Sequence, residues 1–101
     1  MTIVSFVNNC AAVSSFAVKW NGGESSRTTV LMSGQNASIE MSDTSAPAGI
    51  SCWARAYIQG GPNHDSGDNF TNGGPNLTYI LSGSVDSPSF SMQWDKDFFS
   101  S

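Results

Sequence analysis

Apolar and polar residues alternate with a period of two along much of this chain, most clearly in the stretch 51–58. One face of that stretch holds the small or apolar residues Cys52, Ala54, Ala56 and Ile58. The other face holds Ser51, Trp53, Arg55 and Tyr57. Successive side chains of a β-strand point to opposite faces, so the first set is predicted to be buried. Trp53, Arg55 and Tyr57 then lie side by side on the opposite surface.

Similar patterns and turn signals recur every eight to twelve residues or so, which is typical of a β-sandwich. Strands are predicted at 2–8, 13–20, 28–32, 36–41, 52–58 and 76–82, with a last strand whose inner face is Phe90, Met92 and Trp94. Asn21-Gly22-Gly23 predicts a hairpin turn. Trp20 and Trp94 fall on inward faces and are expected in the core. The prediction is one all-β domain over residues 1–101, an antiparallel sandwich of immunoglobulin-like or jelly-roll type with seven or eight strands.

The Gly-, Pro- and Asn-rich stretch from Gly60 to about Pro75 predicts a long loop, with β structure only near 69–71. Long loops in small domains are often functional. Two carboxylates in this stretch, Asp65 and Asp68, are candidate ligands of a calcium ion. The alternative is that these Asp and Asn residues form turns by bonding their own backbone.

Composition and charge exclude several classes of function. The formal net charge is −4 and only four residues are Lys or Arg, which argues against nucleic acid and against electrostatic docking on anionic membranes. No transmembrane run or signal peptide is recognisable, so we expect a cytoplasmic protein or one exported without a classical signal peptide. Cys10 and Cys52 are too few for a disulfide framework; they form one bridge or, as we favour, stay reduced and buried.

Catalytic patterns are weak, and no enzyme is predicted. The single histidine, His64, adjoins Asp65, but there is no Gly-x-Ser-x-Gly motif to supply an activated nucleophile. A glycosidase needs two carboxyl groups across a cleft, one of them with a raised pKa. Asp65 and Asp68 are predicted in an exposed polar loop that raises neither pKa.

Three short motifs resemble the first half of thaumatin-like proteins. They are Thr2-Ile3-Val4-Ser5-Phe6-Val7-Asn8-Asn9-Cys10, Leu31-Met32-Ser33-Gly34-Gln35 leading into Ile39, and Cys52-Trp53-Ala54-Arg55. The resemblance covers residues 2–58 and implies a β-sandwich, secretion, β-glucan binding, antifungal activity or, in a few members, sweet taste. That family is rich in disulfides, whereas this chain has two cysteines. In general style the chain is also similar to small leaderless acidic fungal proteins, the fruit-body lectins and aegerolysins.

These observations predict a non-catalytic, lectin-like module whose partner is a glycan, with no nucleic acid and no integral membrane association. Aromatic rings beside amide and carboxylate groups suit a sugar. The predicted ligand-binding residues are Trp53, Arg55, Tyr57, Asn63, His64, Asp65, Asp68 and Asn69. A purely structural interpretation, in which Trp53 and Tyr57 fill a second core layer, stays open.

Two other functions are open alternatives. A self-associating structural or storage protein would form homo-oligomers through Phe98 and Phe99. A thaumatin-like defence protein, a taste-receptor ligand or a membrane-binding protein is the second alternative.

Overall fold

The structure, a computed structural model, describes residues 2–94 and contains eight β-strands in that range. The strands are β1 (Ile3–Cys10), β2 (Ser14–Trp20), β3 (Gly23–Glu24), β4 (Asn36–Glu40), β5 (Ser51–Ile58), β6 (His64–Thr71), β7 (Leu77–Gly83) and β8 (Pro88–Trp94). One turn of 3-10 helix, Met41–Asp43, follows β4. Phe98 and Phe99, the predicted self-association residues, lie outside the described residues.

The strands form two four-stranded sheets, which confirms the predicted all-β sandwich. Sheet A has the order β4-β1-β7-β8, and sheet B has the order β3-β2-β5-β6. Neighbouring strands are antiparallel except β1 and β7, which run parallel with Val4 opposite Leu77. The first strand along the chain lies between β4 and β7 and is an interior strand of sheet A.

Aromatic rings from both sheets form the centre of the core. Phe6 of sheet A stacks on Phe16 of sheet B with 5.1 Å between ring centroids. Tyr79 lies on the other side of Phe6 at 6.1 Å. Trp20 is 4% exposed, in agreement with its predicted core position, and Trp94 is partly buried against the same cluster. Stacked rings of this kind join the two sheets by apolar burial with a fixed ring geometry.

The predicted hairpin between β2 and the following strand is present. Trp20 pairs with Gly23 across a two-residue turn, and Gly22 has φ 104°. A β-carbon on Gly23 would lie 2.8 Å from the Trp20 indole ring. Both glycines are thus required here, one by its backbone angle and one by the ring that packs over it.

The predicted strand at 28–32 is wrong, because the segment 25–31 follows the edge of β2 without forming a regular ladder. Ser25 N–H donates to Val18 O at 2.9 Å, and the Ser25 hydroxyl accepts from Val18 N–H at 2.9 Å. Thr28 repeats this exchange with Phe16, and its hydroxyl accepts at 3.1 Å. Side-chain hydroxyls here replace the backbone carbonyls of a normal strand. Only Leu31 forms a β-bridge, with Ser14.

The predicted loop from Gly60 to Pro75 is wrong over residues 64–68, because β6 begins at His64 whereas β structure was expected only near 69–71. This strand lies at the edge of sheet B and buries only Phe70, so it lacks the apolar alternation that marks the other strands. Its register against β5 shifts between Trp53 and Arg55. At the shift the Ser66 hydroxyl accepts from Ala54 N–H at 3.0 Å. Such irregularities are typical of edge strands.

The buried side chain of Asn8 links three segments of backbone at one end of the sandwich. It is 0% exposed, and its Nδ2 donates to Leu31 O at 2.8 Å and to Ala12 O at 2.9 Å. Its Oδ1 accepts from Cys10 N–H at 3.0 Å. The backbone of Asn8 in turn bonds Gln35 O and Gly34 N–H. Asn8 therefore connects β1, the turn into β2 and the crossover into β4.

We expect Asn8→Ala to lower the free energy of unfolding by about 2–4 kcal/mol, because it leaves the groups that it bonds without partners. Urea unfolding followed by tryptophan fluorescence measures this. Its exposed neighbour Asn9 is the matched control, and Asn9→Ala should change stability by less than about 0.5 kcal/mol. Equal stabilities of the two variants would contradict the linking role of Asn8.

Both cysteines are buried free thiols, and burial raises the pKa of the Cys52 thiol to about 11. Because both thiols are buried away from solvent, we expect neither to react with a small thiol reagent at neutral pH while the protein is folded. The raised pKa of Cys52 also keeps its reactive thiolate form scarce. Both should react on addition of denaturant. Fast modification of either thiol in the folded state, or failure to detect two reactive thiols per chain in denaturant, would contradict this arrangement.

Candidate functional site

The candidate site is the outer face of sheet B, where β5 lies between β2 and β6. Trp53, Arg55 and Tyr57 are half-buried on that face, whereas the alternate residues of β5 from Cys52 to Ile58 are buried in the core. This confirms the predicted two-faced strand. Because β5 is an interior strand, its outward side chains are flanked by those of β2 on one side and β6 on the other.

Seven aromatic and charged side chains of this surface bond one another, and we refer to them as the outer network. They are Lys19, Glu24, Arg27, Trp53, Arg55, Tyr57 and Asp65.

Asp65 is the acceptor in one half of the network. Arg55 donates to both of its carboxylate oxygens, from Nε at 2.6 Å and from the terminal nitrogen at 3.0 Å. Trp53 Nε1 donates to the same carboxylate at 3.2 Å. A guanidinium that holds a carboxylate through two bonds is one of the more specific side-chain pairs. Asp65 is thus the counter-ion of Arg55.

Tyr57 is the centre of the other half. Its hydroxyl donates to the Glu24 carboxylate, and Lys19 approaches Glu24 to 3.7 Å. The Arg27 guanidinium lies 3.6 Å from the centroid of the Tyr57 ring. Arg55 is therefore the ion-pair partner of Asp65 and not the cation on the Tyr57 ring. The cation on the aromatic face is Arg27, which reaches Tyr57 from the edge segment.

The pKa shifts in the network follow these contacts. The hydrogen bond to Asp65 is the largest cause that raises the pKa of Arg55 above its usual value. The same bond lowers the pKa of Asp65 below 3.8. Burial, followed by the hydrogen bond to Glu24, raises the pKa of Tyr57. At neutral pH the network therefore holds an ionised Arg55–Asp65 pair beside a neutral tyrosine.

The outer network covers the middle of β2 rather than surrounding an open ligand site. Ala17 is on the outward side of β2 and opposite Arg55, yet it is fully buried. Ser15, opposite Tyr57, is also buried. The bonds of Glu24 and Arg27 to Tyr57 hold the segment after the hairpin against the sheet. This arrangement supports the structural interpretation of Trp53 and Tyr57 as members of a second packed layer.

Of the remaining predicted ligand-binding residues, Asn69 lies beside the outer network, opposite Trp53, whereas His64 and Asp68 make their contacts elsewhere. His64 stacks on Phe90 of the opposite sheet with ring centroids 5.7 Å apart. Asn69 donates from Nδ2 to the Ser51 hydroxyl at 3.1 Å. Asp68 accepts the Tyr79 hydroxyl through its backbone oxygen at 2.9 Å. Asn63 is exposed just before β6.

The suggested calcium site at Asp65 and Asp68 is not formed. Both carboxylate oxygens of Asp65 are already bonded to Arg55. Within residues 2–94, no three His, Cys, Asp or Glu side chains cluster so that they could hold a metal ion. Cation sites of this type need several oxygens directed to one point.

Five residues of this surface are absent from the predicted site. Three of them, Lys19, Glu24 and Arg27, belong to the outer network. Val30 and Met32 were placed in a strand, yet they are 63% and 61% exposed. Their position on either side of Leu31, which is buried, is the sequence signal that identifies them.

No protein-family model and no curated protein matches the sequence. Solved structures do match. Wild-type pneumolysin has a TM-score of 0.52 at 11% identity, over 91% of this chain and 23% of that chain. Listeriolysin O has a TM-score of 0.51 at 15% identity, over 92% of this chain and 22% of that chain. A second pneumolysin structure has a TM-score of 0.50 at 14% identity. At these identities the likeness establishes a shared fold. The chain spans less than a quarter of those proteins.

These matches correct the main functional prediction. The solved structures that match this chain are named lysins and not lectins or thaumatin-like proteins, and this finding overturns the lectin prediction. The predicted glycan partner and the exclusion of integral membrane association are corrected with it. The resemblance of residues 2–58 to thaumatin-like proteins stays an observation on sequence. Among residues 2–94 no helix is long and apolar enough to cross a membrane.

The Arg55–Asp65 pair predicts a pH dependence of stability. Because the pKa of Asp65 is lower in the folded state than its ordinary value of 3.8, its contribution is complete above pH 3.8. The contribution is lost as the pH falls through the lower folded value. We expect wild type to exceed Asp65→Asn in free energy of unfolding at pH 7 by at most about 1 kcal/mol, since solvent screens this half-exposed pair.

Urea unfolding of both proteins from pH 7 to pH 2 measures this difference, which should shrink below pH 3.8. Asp86→Asn, at an exposed carboxylate in the turn between β7 and β8, is the matched control for the removal of one negative charge. A difference between wild type and Asp65→Asn that stays constant with pH would contradict the ion pair as its source.

Proposed function

We propose that this chain is a membrane-binding β-sandwich module. The observation on which the proposal rests is the fold likeness to pneumolysin and listeriolysin O over more than nine-tenths of this chain. Their names are those of lysins, and a protein that lyses a cell has to contact its membrane. Because the chain corresponds to 23% and 22% of those proteins, we assign to it membrane contact and not lysis.

The charges of the described residues support contact through apolar groups rather than through cations. The net charge of the chain is −4, which opposes attraction to anionic lipid. Its described cations are Lys19, Arg27 and Arg55, and each already contacts a side chain of the outer network. Binding to a bilayer without strong electrostatic attraction depends on buried apolar area.

We expect the protein to float with vesicles in a density gradient. The vesicles are free of glycan and contain phosphatidylcholine, phosphatidylethanolamine and phosphatidylserine. A gradient without vesicles is the control, and there the protein should stay at the bottom. This control separates membrane binding from self-association, which would be independent of lipid. Protein that stays at the bottom with vesicles at millimolar lipid would overturn the proposed function.

A further inference from the structure

We propose that Val30 and Met32, here called the apolar pair, form the bilayer-contacting site, and that the lipid they contact is electrically neutral. This inference rests on the proposed function and adds to it the residues that enter the bilayer and the class of lipid. Val30 and Met32 are the large hydrophobic residues that the structure exposes within residues 2–94, at 63% and 61%.

The backbone beneath the apolar pair is fixed, so its exposure is a property of the folded state. Leu31, between the two residues, is buried and exchanges backbone hydrogen bonds with Ser14 at 2.7 and 3.0 Å. The Leu31 carbonyl also accepts from the buried Asn8 side chain. On the far side, Met32 N–H donates to the Gln35 side chain at 2.9 Å. A fixed segment directs its apolar side chains outward at no further cost in backbone entropy on binding.

Strand alternation places the apolar pair on the outer side of sheet B. Ser14 and Leu31 are opposite each other in an antiparallel bridge and are both buried, so both point into the sandwich. Val30 and Met32 therefore point the other way. The next pair of residues along β2 and β5 is Ser15 and Tyr57. Tyr57 is thus the aromatic residue of the outer network closest in register to the apolar pair, a position suited to the headgroup level of a bilayer.

The charges near the apolar pair select neutral lipid. No charged residue occurs between Arg27 and Glu40 in the sequence. Arg27, the nearest cation along the chain, lies on the face of Tyr57, whose hydroxyl is bonded to Glu24. A site specific for anionic headgroups would need cations free to bind them. An uncharged segment carrying two exposed apolar side chains fits the surface of a phosphatidylcholine bilayer.

The test compares two double variants on vesicles of phosphatidylcholine alone. Wild type should be half bound at accessible lipid on the order of 1 mM, because two side chains bury less apolar area than one acyl chain. Val30→Ser with Met32→Ser should weaken binding by about tenfold or more. Val30→Leu with Met32→Leu retains apolar area and should bind like wild type. Equal unfolding midpoints of the three proteins in urea establish that folding is unchanged.

Each other outcome overturns a defined part of the proposal. If the serine variant binds as tightly as wild type, the apolar pair is not the site, although membrane binding stands. If wild type binds only when phosphatidylserine is added, the proposed preference for neutral lipid is wrong. If wild type binds no vesicle, the proposed function itself fails. If wild type dimerises without vesicles, in sedimentation equilibrium, and the serine variant does not, the apolar pair contacts a second copy instead.

Discussion

A single buried carboxamide holds together the end of the sandwich from which the functional proposals arise. Three segments meet at Asn8: the end of β1, the turn into β2, and the crossover that leaves sheet B for sheet A. The Asn8 side chain adds to the strand pairing there, because it bonds the Leu31 and Ala12 carbonyls and the Cys10 amide, and a buried unpaired amide or carbonyl is costly. One asparagine supplies donors and an acceptor in the required directions. The position of Leu31, and with it the outward direction of Val30 and Met32, depends on this arrangement.

Side chains also satisfy backbone groups at the edge of sheet B that is formed by the segment 25–31. Ser25 and Thr28 each bond β2 through a backbone N–H and a side-chain hydroxyl. The segment 25–31 thereby bonds the backbone N–H and C=O groups of β2 without becoming a regular strand. An irregular edge of that kind is a poor template for pairing with another chain. The outer network then anchors the segment through the contacts of Glu24 and Arg27 with Tyr57. A group of residues with the composition of a ligand site thus closes the structure over β2.

Sequence periodicity predicted the strands that bury one apolar face. It failed for segments that are held to the sheet by hydrogen bonds and bury few apolar side chains. The alternation in β1, β2, β4, β5, β7 and β8 identified each of these strands, because apolar burial has the period of the backbone. β6 was missed because it buries Phe70 alone and is interrupted by a bulge. The segment 28–32 was predicted as the strand that returns from the hairpin, but its contact with β2 uses the Thr28 hydroxyl, which no hydropathy pattern records.

The candidate site shows the same limit. The outward direction of Trp53, Arg55 and Tyr57 followed from alternation, but their partners did not. Asp65 is a neighbour of Arg55 only because β6 is a strand, and Arg27 is a neighbour of Tyr57 only because the edge segment folds back along β2. His64 was grouped with the site by its closeness in sequence to Asp65, whereas the pleat directs it to Phe90 in the other sheet. Contacts between strands depend on register, which local sequence does not specify.

The parallel pairing of β1 with β7 determines when during folding sheet A can form. The Ile3 amide bonds the side chain of Asn76, 73 positions later, and the two strands then pair along their lengths. Contacts between residues so far apart require a large loop to close before they contribute, which slows folding. During synthesis β1 emerges first but has no neighbour on that side until β7 follows. Its apolar residues are exposed for that interval, when the growing chain is most prone to aggregate.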